Sequence, residues 1–529
     1  MTSNMADEKF ILAVDHGTSG VKTSICSTQG KIVATEYECI PTYFLPQGGA
    51  EQNPDDWWNA LVRTSKKLIL KNHVIAEKII AICCSSTFSS TVAVDRSGKH
   101  LMNSLTWLDS RGAPYIKRLF KGVVKIEGYN IFKILKWIRK TAGGPQLSGK
   151  DDIAHVLFIK NELPHIYEKT YMFLGSKDYL NLRLTGEFSA SFDSIHLLWV
   201  TDTRNINNIH YDDDLIRDVG IDKEKLPPLK RSIDILGNIG EEFARETGLK
   251  MDVKVVVGSP DHQSACIGSG AVRDFEGHLY VGTSSWIQCI VPFKKTDPFH
   301  SIASLPTSIP GKYYCANEQD IAGGILPFLV NNFLFSKQID PSLSPPDRIY
   351  EKLDEVASRV PPGAEKVIFA PWLNGERTPV DDPFLRGGIF NLSLRTDVSH
   401  IIRSAMEGVA FNGKWSLKYV EKFIGKRMDT LNIIGGGAKS DVWCQIFADV
   451  MNRKIKKVKD PLEANARGAA FIASVALGEI SFDDIPSLVE YEKTYEPNPA
   501  NREIYNELYD AFLTIYRKNK KLYRRLNIA

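Results

Sequence analysis

The sequence predicts an α/β protein built as two similar halves. Strand-like apolar runs alternate with amphipathic stretches at helical spacing, which argues against a β-sandwich or a helix bundle. The triplet Gly-Thr-Ser begins at Gly17 and again at Gly282, half a chain apart in 529 residues, each time between two strand-like runs. Repetition at that period, in the same local context, points to duplication. A chain of this length also has residues enough for more than one core.

The elements follow in order. Phe10-Ile-Leu-Ala-Val14 leads into Asp-His-Gly-Thr-Ser-Gly and then residues 21–26, a strand, a tight turn and a strand. Residues 54–71 read as a helix, 79–84 and 91–94 as strands, and 109–120 as a helix. Two further helices, 213–228 and 241–248, lead to the strand 253–258, where the boundary is drawn: domains 9–254 and 255–526. Residues 278–281 and 286–291 flank the second turn as the opening strands flank the first. A small-residue helix is expected at 263–271, a loop at 340–346, a strand at 431–434 and a helix at 440–451. Ile504, Leu508, Phe512 and Ile515 mark a last helix whose basic end, 517–521, suits the helix dipole.

Composition excludes several classes. With 66 Lys+Arg against 63 Asp+Glu, the net charge of +3 supplies no field for nucleic acid or a membrane. The basic stretch 117–140, interleaved with Phe120, Phe132 and Trp137, is too local to change that. Residues 1–9 are polar and lack the apolar core of a signal peptide. No apolar run approaches the roughly 20 residues of a membrane span. Eight cysteines are scattered without a C-x-x-C pair, so reduced, buried thiols in a cytoplasmic protein are expected.

Five glycine-containing segments bear on chemistry. Residues 144–151 come close to G-x-x-x-x-G-K-[ST], but Asp151 replaces the metal-binding hydroxyl and no buried strand precedes the segment, so a P-loop is rejected. Asp15-His-Gly17-Thr18-Ser19-Gly20 offers backbone N–H groups and two hydroxyls to a phosphate; Asp15 can meet Mg²⁺, and Lys22 adds positive charge. Gly282-Thr283-Ser284 repeats the turn. Gly435-Gly436-Gly437-Ala438, between a strand and a helix, presents bare backbone to a nucleotide. Gly258-Ser-Pro-Asp261-His262 ends a buried strand with a carboxylate, where α/β folds place catalytic groups. Helix capping by Asp261 is compatible with that role.

Together these segments resemble the FGGY carbohydrate kinases, near the xylulokinase group, over essentially the whole chain. Further matching segments are Gly49-Ala-Glu-Gln-Asn-Pro-Asp-Asp-Trp57, Trp107-Leu-Asp-Ser-Arg111, Lys177-Asp-Tyr-Leu-Asn-Leu-Arg-Leu-Thr-Gly186 and Gly375-Glu-Arg-Thr-Pro379. The resemblance implies two ribonuclease-H-like domains of the actin-like ATPase type flanking a cleft, and ATP-dependent phosphorylation of a sugar hydroxyl. It implies Asp261 as general base, Asp15 at Mg²⁺, Gly17, Thr18, Ser19, Lys22, Gly282, Thr283 and Ser284 at phosphates, and Gly436, Gly437, Ala438 and Asp441 at adenosine. Phe88, Ser89, Ser90, Trp107, Asp261 and His262 fall at the sugar.

Departures from the xylulokinase pattern bear on the sugar. Thr87-Phe88-Ser89-Ser90 stands where xylulokinases carry Gln-Met-His-Gly and looks more like the ribulokinase version. His262 replaces an Asn, and residues 131–152 form an extra segment. The expected substrate is an open-chain ketopentose, D-xylulose first, with ribulose or another polyol or sugar acid behind it. A catalytically silent, actin-like binder is the rival from another class. A homodimer is compatible with this reading, and the sequence does not set the oligomeric state.

Overall fold

The computed structural model describes residues 8–527; the stretch 1–7 of the polar N-terminus lies outside the described residues. The first sheet holds β1 (Phe10–Gly17), β2 (Gly20–Ser27), β3 (Ile32–Cys39), β4 (Ile79–Ser86), β5 (Ile235–Asn238) and β6 (Lys254–Pro260), in the order β5-β6-β4-β1-β2-β3. β1, β2 and β3 are antiparallel, whereas β4 and β6 run parallel to β1. The second sheet holds β7 (Gly277–Val281), β8 (Ser285–Val291), β9 (Thr296–Asp297), β10 (Ile302–Pro306), β11 (Tyr313–Ala316), β12 (Thr430–Ile434), β13 (Lys454–Val458) and β14 (Tyr491–Tyr495). Its order is β9-β10-β11-β8-β7-β12-β13-β14. Within it, β11-β8-β7-β12-β13 repeats the β3-β2-β1-β4-β6 pattern of three antiparallel and two parallel strands, with an antiparallel edge strand added on the parallel side of both sheets. The duplication expected from the two Gly-Thr-Ser turns is thus a duplicated ribonuclease-H-like topology.

β1, β4 and β6 are buried along nearly all their length, apolar up to the end that carries Asp15, Ser85 and Ser259, because both faces are covered. On one face lies α1 (Pro54–Lys71), started by Pro54 and capped by Asn53, whose side chain accepts from Asp55 N. It buries Trp57, Trp58, Leu61 and Leu68 there. On the other lie α2 (Asp261–Gly268) and, from far along the chain, α5 (Ala464–Ala476), which pack Ala265, Ile267, Phe471 and Ile472 on Ile11, Ala81 and Val256. The second sheet's main core joins α3 (Val398–Ile424), α4 (Asp441–Met451) and the helix Arg502–Asn527 around Phe411, Trp443 and Phe512. Among the described residues no helix is long and apolar enough to cross a membrane.

Several sequence expectations shift. β6 belongs to the first sheet, so that sheet runs past the expected 254/255 boundary; its parallel pairing with β4 holds it there. The helix expected over 109–120 is Ala113–Leu119, because Asp109 is buried and bonds Ala50 N and Arg111 while Pro114 opens the helix. The helix expected over 213–228 stops at Val219, where Gly220 turns left-handed at φ 74°. α2 starts at Asp261 itself, not at residue 263. All eight cysteines are free, and Cys39 is exposed rather than buried. The extra segment 131–152 reaches the second half: Lys294 Nζ donates to Ile138 O and Arg139 O at 3.0 and 2.9 Å, and Thr296 Oγ1 to Ala142 O at 2.8 Å.

α2 and α5 touch backbone to backbone. A Cβ at Gly268 would stand 1.8 Å from Ala464 O, and one at Gly468 1.9 Å from Ser264 O. Neither oxygen can retreat without moving a helix, so Gly468→Ala is expected to lower stability by about 1–3 kcal/mol. A urea midpoint equal to the parent's would show that the crossing is loose.

Candidate active site

The first turn is built by complete strand pairing: Asp15 lies opposite Lys22 and Gly17 opposite Gly20, leaving Thr18-Ser19 between. Side chains from outside hold it. Gln52 Nε2 donates to Thr18 O at 2.7 Å, Trp107 Nε1 to Thr18 Oγ1 at 2.8 Å and Tyr37 OH to Ser19 Oγ at 3.2 Å. Trp107, expected at the sugar, therefore anchors the turn. Asn465 at the start of α5 donates to Asp15 Oδ1 at 3.3 Å. Burial raises the Asp15 pKa, and Lys22 and Asn465 oppose that rise. Lys22 itself is engaged below the turn, 2.8 Å from Leu462 O and 3.4 Å from Glu463.

The second turn, 282–284, closes β7 and β8, with Gly282 N donating to Ser284 O at 3.0 Å. Residues 322–324 lie directly on it: Ala322 N and Gly323 N donate to Thr283 O and Gly282 O at 2.8 and 2.7 Å. The glycine loop packs against the end of β7. A Cβ at Gly435 would stand 2.7 Å from Val281 O, and one at Gly437 2.4 Å from Val281 Cγ1. At Gly436 it would meet nothing within 4 Å, so bare backbone faces open space there. Ala438 is buried beneath. Asp441, which opens the helix after this loop, accepts from Tyr495 OH, Lys493 Nζ and Lys457 Nζ. Burial works against its charged form, but those donors prevail and hold the carboxyl at about 2.

Asp15 and Asp261 share one end of the first sheet. Asp15, Ser85 and Ser259 are in register across β1, β4 and β6, and Asp261 follows β6 directly. Burial pushes the Asp261 pKa well up, the charge of Asp15 adds to it, His262 N–H opposes, and Glu318 adds again. The same three carboxylates, with burial foremost, raise Tyr280 at the foot of the second turn. Carboxylates of the first sheet and the base of the second hairpin thus share one electrostatic environment.

Beside Asp261 a small cavity is lined by residues 86–90, Asp152, residues 175–178, Ser194 and Pro260. Phe88 meets the His262 ring edge-on at 5.6 Å. Ser89 has φ 55° and donates from Oγ to Lys150 O at 2.8 Å, so its hydroxyl is committed to the extra segment. Ser90 is buried in the cavity wall. From the second half, Arg377 donates to Asp320 Oδ1 at 2.7 Å and pairs with Glu318. Burial and the Arg377 charge lower Lys150, while Asp320 and Glu318 oppose. Gln52, Asn465 and Arg377 have no role assigned from the sequence, and Lys150 figures there only as the lysine of the rejected P-loop; Gln52 and Arg377 lie in segments carrying the family resemblance.

Asp152 lines the cavity and Asp151 precedes it in the chain, both buried. Asp151 Oδ2 accepts from Gln146 N and Trp199 Nε1 at 2.8 and 2.7 Å, and Asp152 Oδ1 from Thr91 Oγ1 at 2.9 Å. Burial outweighs these donors and raises both carboxyls from 3.8 to about 7. The unfolded chain loses these protons near the ordinary value. The stabilisation is therefore complete below about pH 4 and is lost as pH rises through about 7. A urea midpoint that falls between about pH 5 and pH 8, and falls less in Asp151→Asn with Asp152→Asn, is the expected result; identical slopes would refute the assignment.

Comparison with known proteins agrees with this architecture. Residues 10–268 match the N-terminal domain and 278–477 the C-terminal domain of the FGGY family of carbohydrate kinases. The xylulose kinase of Bacillus subtilis is 28% identical over 97% of this chain and 98% of its own. The gluconokinase of the same organism is 25% identical over 98% and 97%. Among solved structures, gluconate kinase and ligand-bound xylulose kinase from Lactobacillus acidophilus superpose with TM-scores of 0.85 and 0.84. Each is 26% identical over 98% of this chain and 100% of that one. The chain belongs to the FGGY family of carbohydrate kinases, phosphotransferases with an alcohol group as acceptor.

Proposed function

We propose that the cleft transfers the terminal phosphoryl group of ATP to the primary hydroxyl of an open-chain sugar, with Asp261 as general base. The observation that carries this reading is Asp261 directly after β6, at the sheet end where Asp15 and Ser259 are in register through Ser85, with its charge felt at Tyr280 of the second hairpin. A solvent-exposed aspartate holds a proton too weakly to be an effective base near neutrality. Burial, with Asp15 and Glu318 adding to it, strengthens proton affinity at Asp261 and matches the task. A catalytically silent binder has no need of such a group.

The rest is alignment and charge neutralisation, which phosphoryl transfer chiefly requires. Backbone N–H groups and hydroxyls at Gly17, Thr18, Ser19, Gly282, Thr283 and Ser284 are assigned to the phosphates, and Gly436, Gly437 and Ala438 to adenosine. Lys22 supplies positive charge behind the first turn, and Asp441, at the start of the helix after the glycine loop, is assigned to the adenosine end of the site with Lys457, Lys493 and Tyr495 holding its carboxylate. Among the described residues no group of three or more potential ligands is gathered for a metal. Asp15, a carboxylate with one amide donor at 3.3 Å, fits Mg²⁺ held otherwise by phosphate and water oxygens. When bound, Mg²⁺ supplies charge neutralisation at the phosphates.

The acceptor is assigned to the space beside Phe88, Ser90 and His262, with Ser89 and Trp107 holding its walls. D-xylulose is the first acceptor to test, because xylulose kinases stand among the relatives at 28% identity. D-gluconate and D-ribulose come next. ATP consumption by the purified protein against a panel of ketoses, polyols and sugar acids tests the class directly, and no turnover with any of them would contradict it. Asp261→Ala is expected to lose turnover by at least ~10²-fold while ATP binding persists; unchanged turnover would overturn the base assignment.

A further inference from the structure

His262 follows the proposed base, and its ring is held on three sides. Trp286 stacks on it at 4.0 Å and 20°, Phe88 meets it edge-on, and Gln288 Nε2 lies 2.9 Å from Nδ1. Gln288 stands on β8, fully buried. Its amide nitrogen also donates to Asn317 O at 3.2 Å. A carbonyl only accepts, so that contact fixes which end of the Gln288 amide is nitrogen. The second amide hydrogen then points at His262 Nδ1, which must accept, and the ring proton resides on Nε2.

The arrangement is rigid beyond Gln288. Asn317 Oδ1 accepts from Ile287 N at 3.2 Å and its Nδ2 donates to Ile287 O at 2.5 Å, which locks the Asn317 side chain to β8. Trp286 is pinned by its own indole N–H to His278 Nε2 at 2.9 Å and by stacking on Tyr280 at 3.9 Å. Burial, with the charge of Arg377 adding to it, lowers the His262 pKa to about 3, so the ring is neutral near pH 7. Among the described residues His262 Nε2 makes no hydrogen bond, and it lies on the ring edge away from Gln288.

We propose that Gln288 is a positioning residue that holds His262 as a neutral Nε2–H donor to an oxygen of the acceptor sugar next to the reacting hydroxyl. The proposal rests on the sugar-kinase reading above. It divides the work of two adjacent residues: Asp261 receives a proton from one sugar oxygen, and His262 gives a hydrogen bond to a neighbouring one. A donor locked in this tautomer selects for a carbonyl or hydroxyl lone pair at that position.

The test uses the full chain with ¹⁵N-labelled histidine, in the parent, Gln288→Glu and Gln288→Leu. The parent's His262 nitrogens are expected to show the Nε2–H tautomer. In Gln288→Glu the carboxylate can only accept, so Nδ1 gains a proton and the pattern inverts or becomes that of imidazolium. In Gln288→Leu, Nδ1 loses its donor and the tautomers mix. With the acceptor that the panel identifies, both variants are expected to raise the sugar KM by about 10-fold, the weight of roughly one hydrogen bond. The ATP KM is expected to stay within about 2-fold of the parent's, a separation that general misfolding does not give. An Nδ1–H tautomer in the parent overturns the proposal, as do variants with unchanged spectra and unchanged sugar KM. If no acceptor is phosphorylated, the kinase reading fails, while the tautomer measurement still decides the role of Gln288.

Discussion

The site depends on a crossing of two helices at which side chains are absent. α2 and α5 meet through Gly268 and Gly468, each set against the other's backbone oxygen. α2 opens with Asp261, and the first turn of α5 carries Asn465, the donor to Asp15. One close approach thus sets the proposed base and the carboxylate assigned to the metal relative to each other. It also binds a helix from residue 464 onward to a sheet whose strands end at Pro260. The two halves therefore cannot be regarded as separate units joined by a linker. Asp193 adds a second tie: its buried carboxylate accepts from Ser232, Ser259 and, out of the second half, Ser308.

The charges in the cleft are arranged by burial more than by pairing. Asp15 and Asp261 are both raised by loss of water, and Asp15 contributes to the rise at Asp261. Like charges held close in a poorly solvated place favour proton uptake and attract cations. Those are the two demands of phosphoryl transfer from a metal-bound nucleotide. Lys22 relieves the first hairpin from below through Leu462 and Glu463, and Arg377 answers Glu318 and Asp320 on the opposite side. The near balance of charge over the whole chain conceals this local structure.

What the sequence made legible was what neighbouring residues decide. Both Gly-Thr-Ser turns, the glycine loop and Asp261 stand out because strand, turn and carboxylate are contiguous. The fold class followed from the repeat. Asn465 and Gln288 carry no local mark, and packing brings each to the site from an element whose own pattern is ordinary; Gln52 and Lys150 stand in marked segments, but their contacts are made by distant elements. The division at 254/255 falls inside β6, since a boundary read from the order of local elements does not register that β6 pairs with β4. The hydrogen bonds of Trp107, Ser89 and Asp441, to Thr18, Lys150 and the Lys457–Lys493–Tyr495 cluster, were not legible either, because each partner is distant in sequence.

On the proposed reading, three backbone loops, distant in sequence, bind one nucleotide. Hydrogen–deuterium exchange with and without a non-hydrolysable ATP analogue and Mg²⁺ tests it most directly. Simultaneous protection of residues 17–19, 282–284 and 436–438 over the same range of analogue concentration is expected. Protection of only one loop, or protection confined to residues outside the cleft, would contradict it.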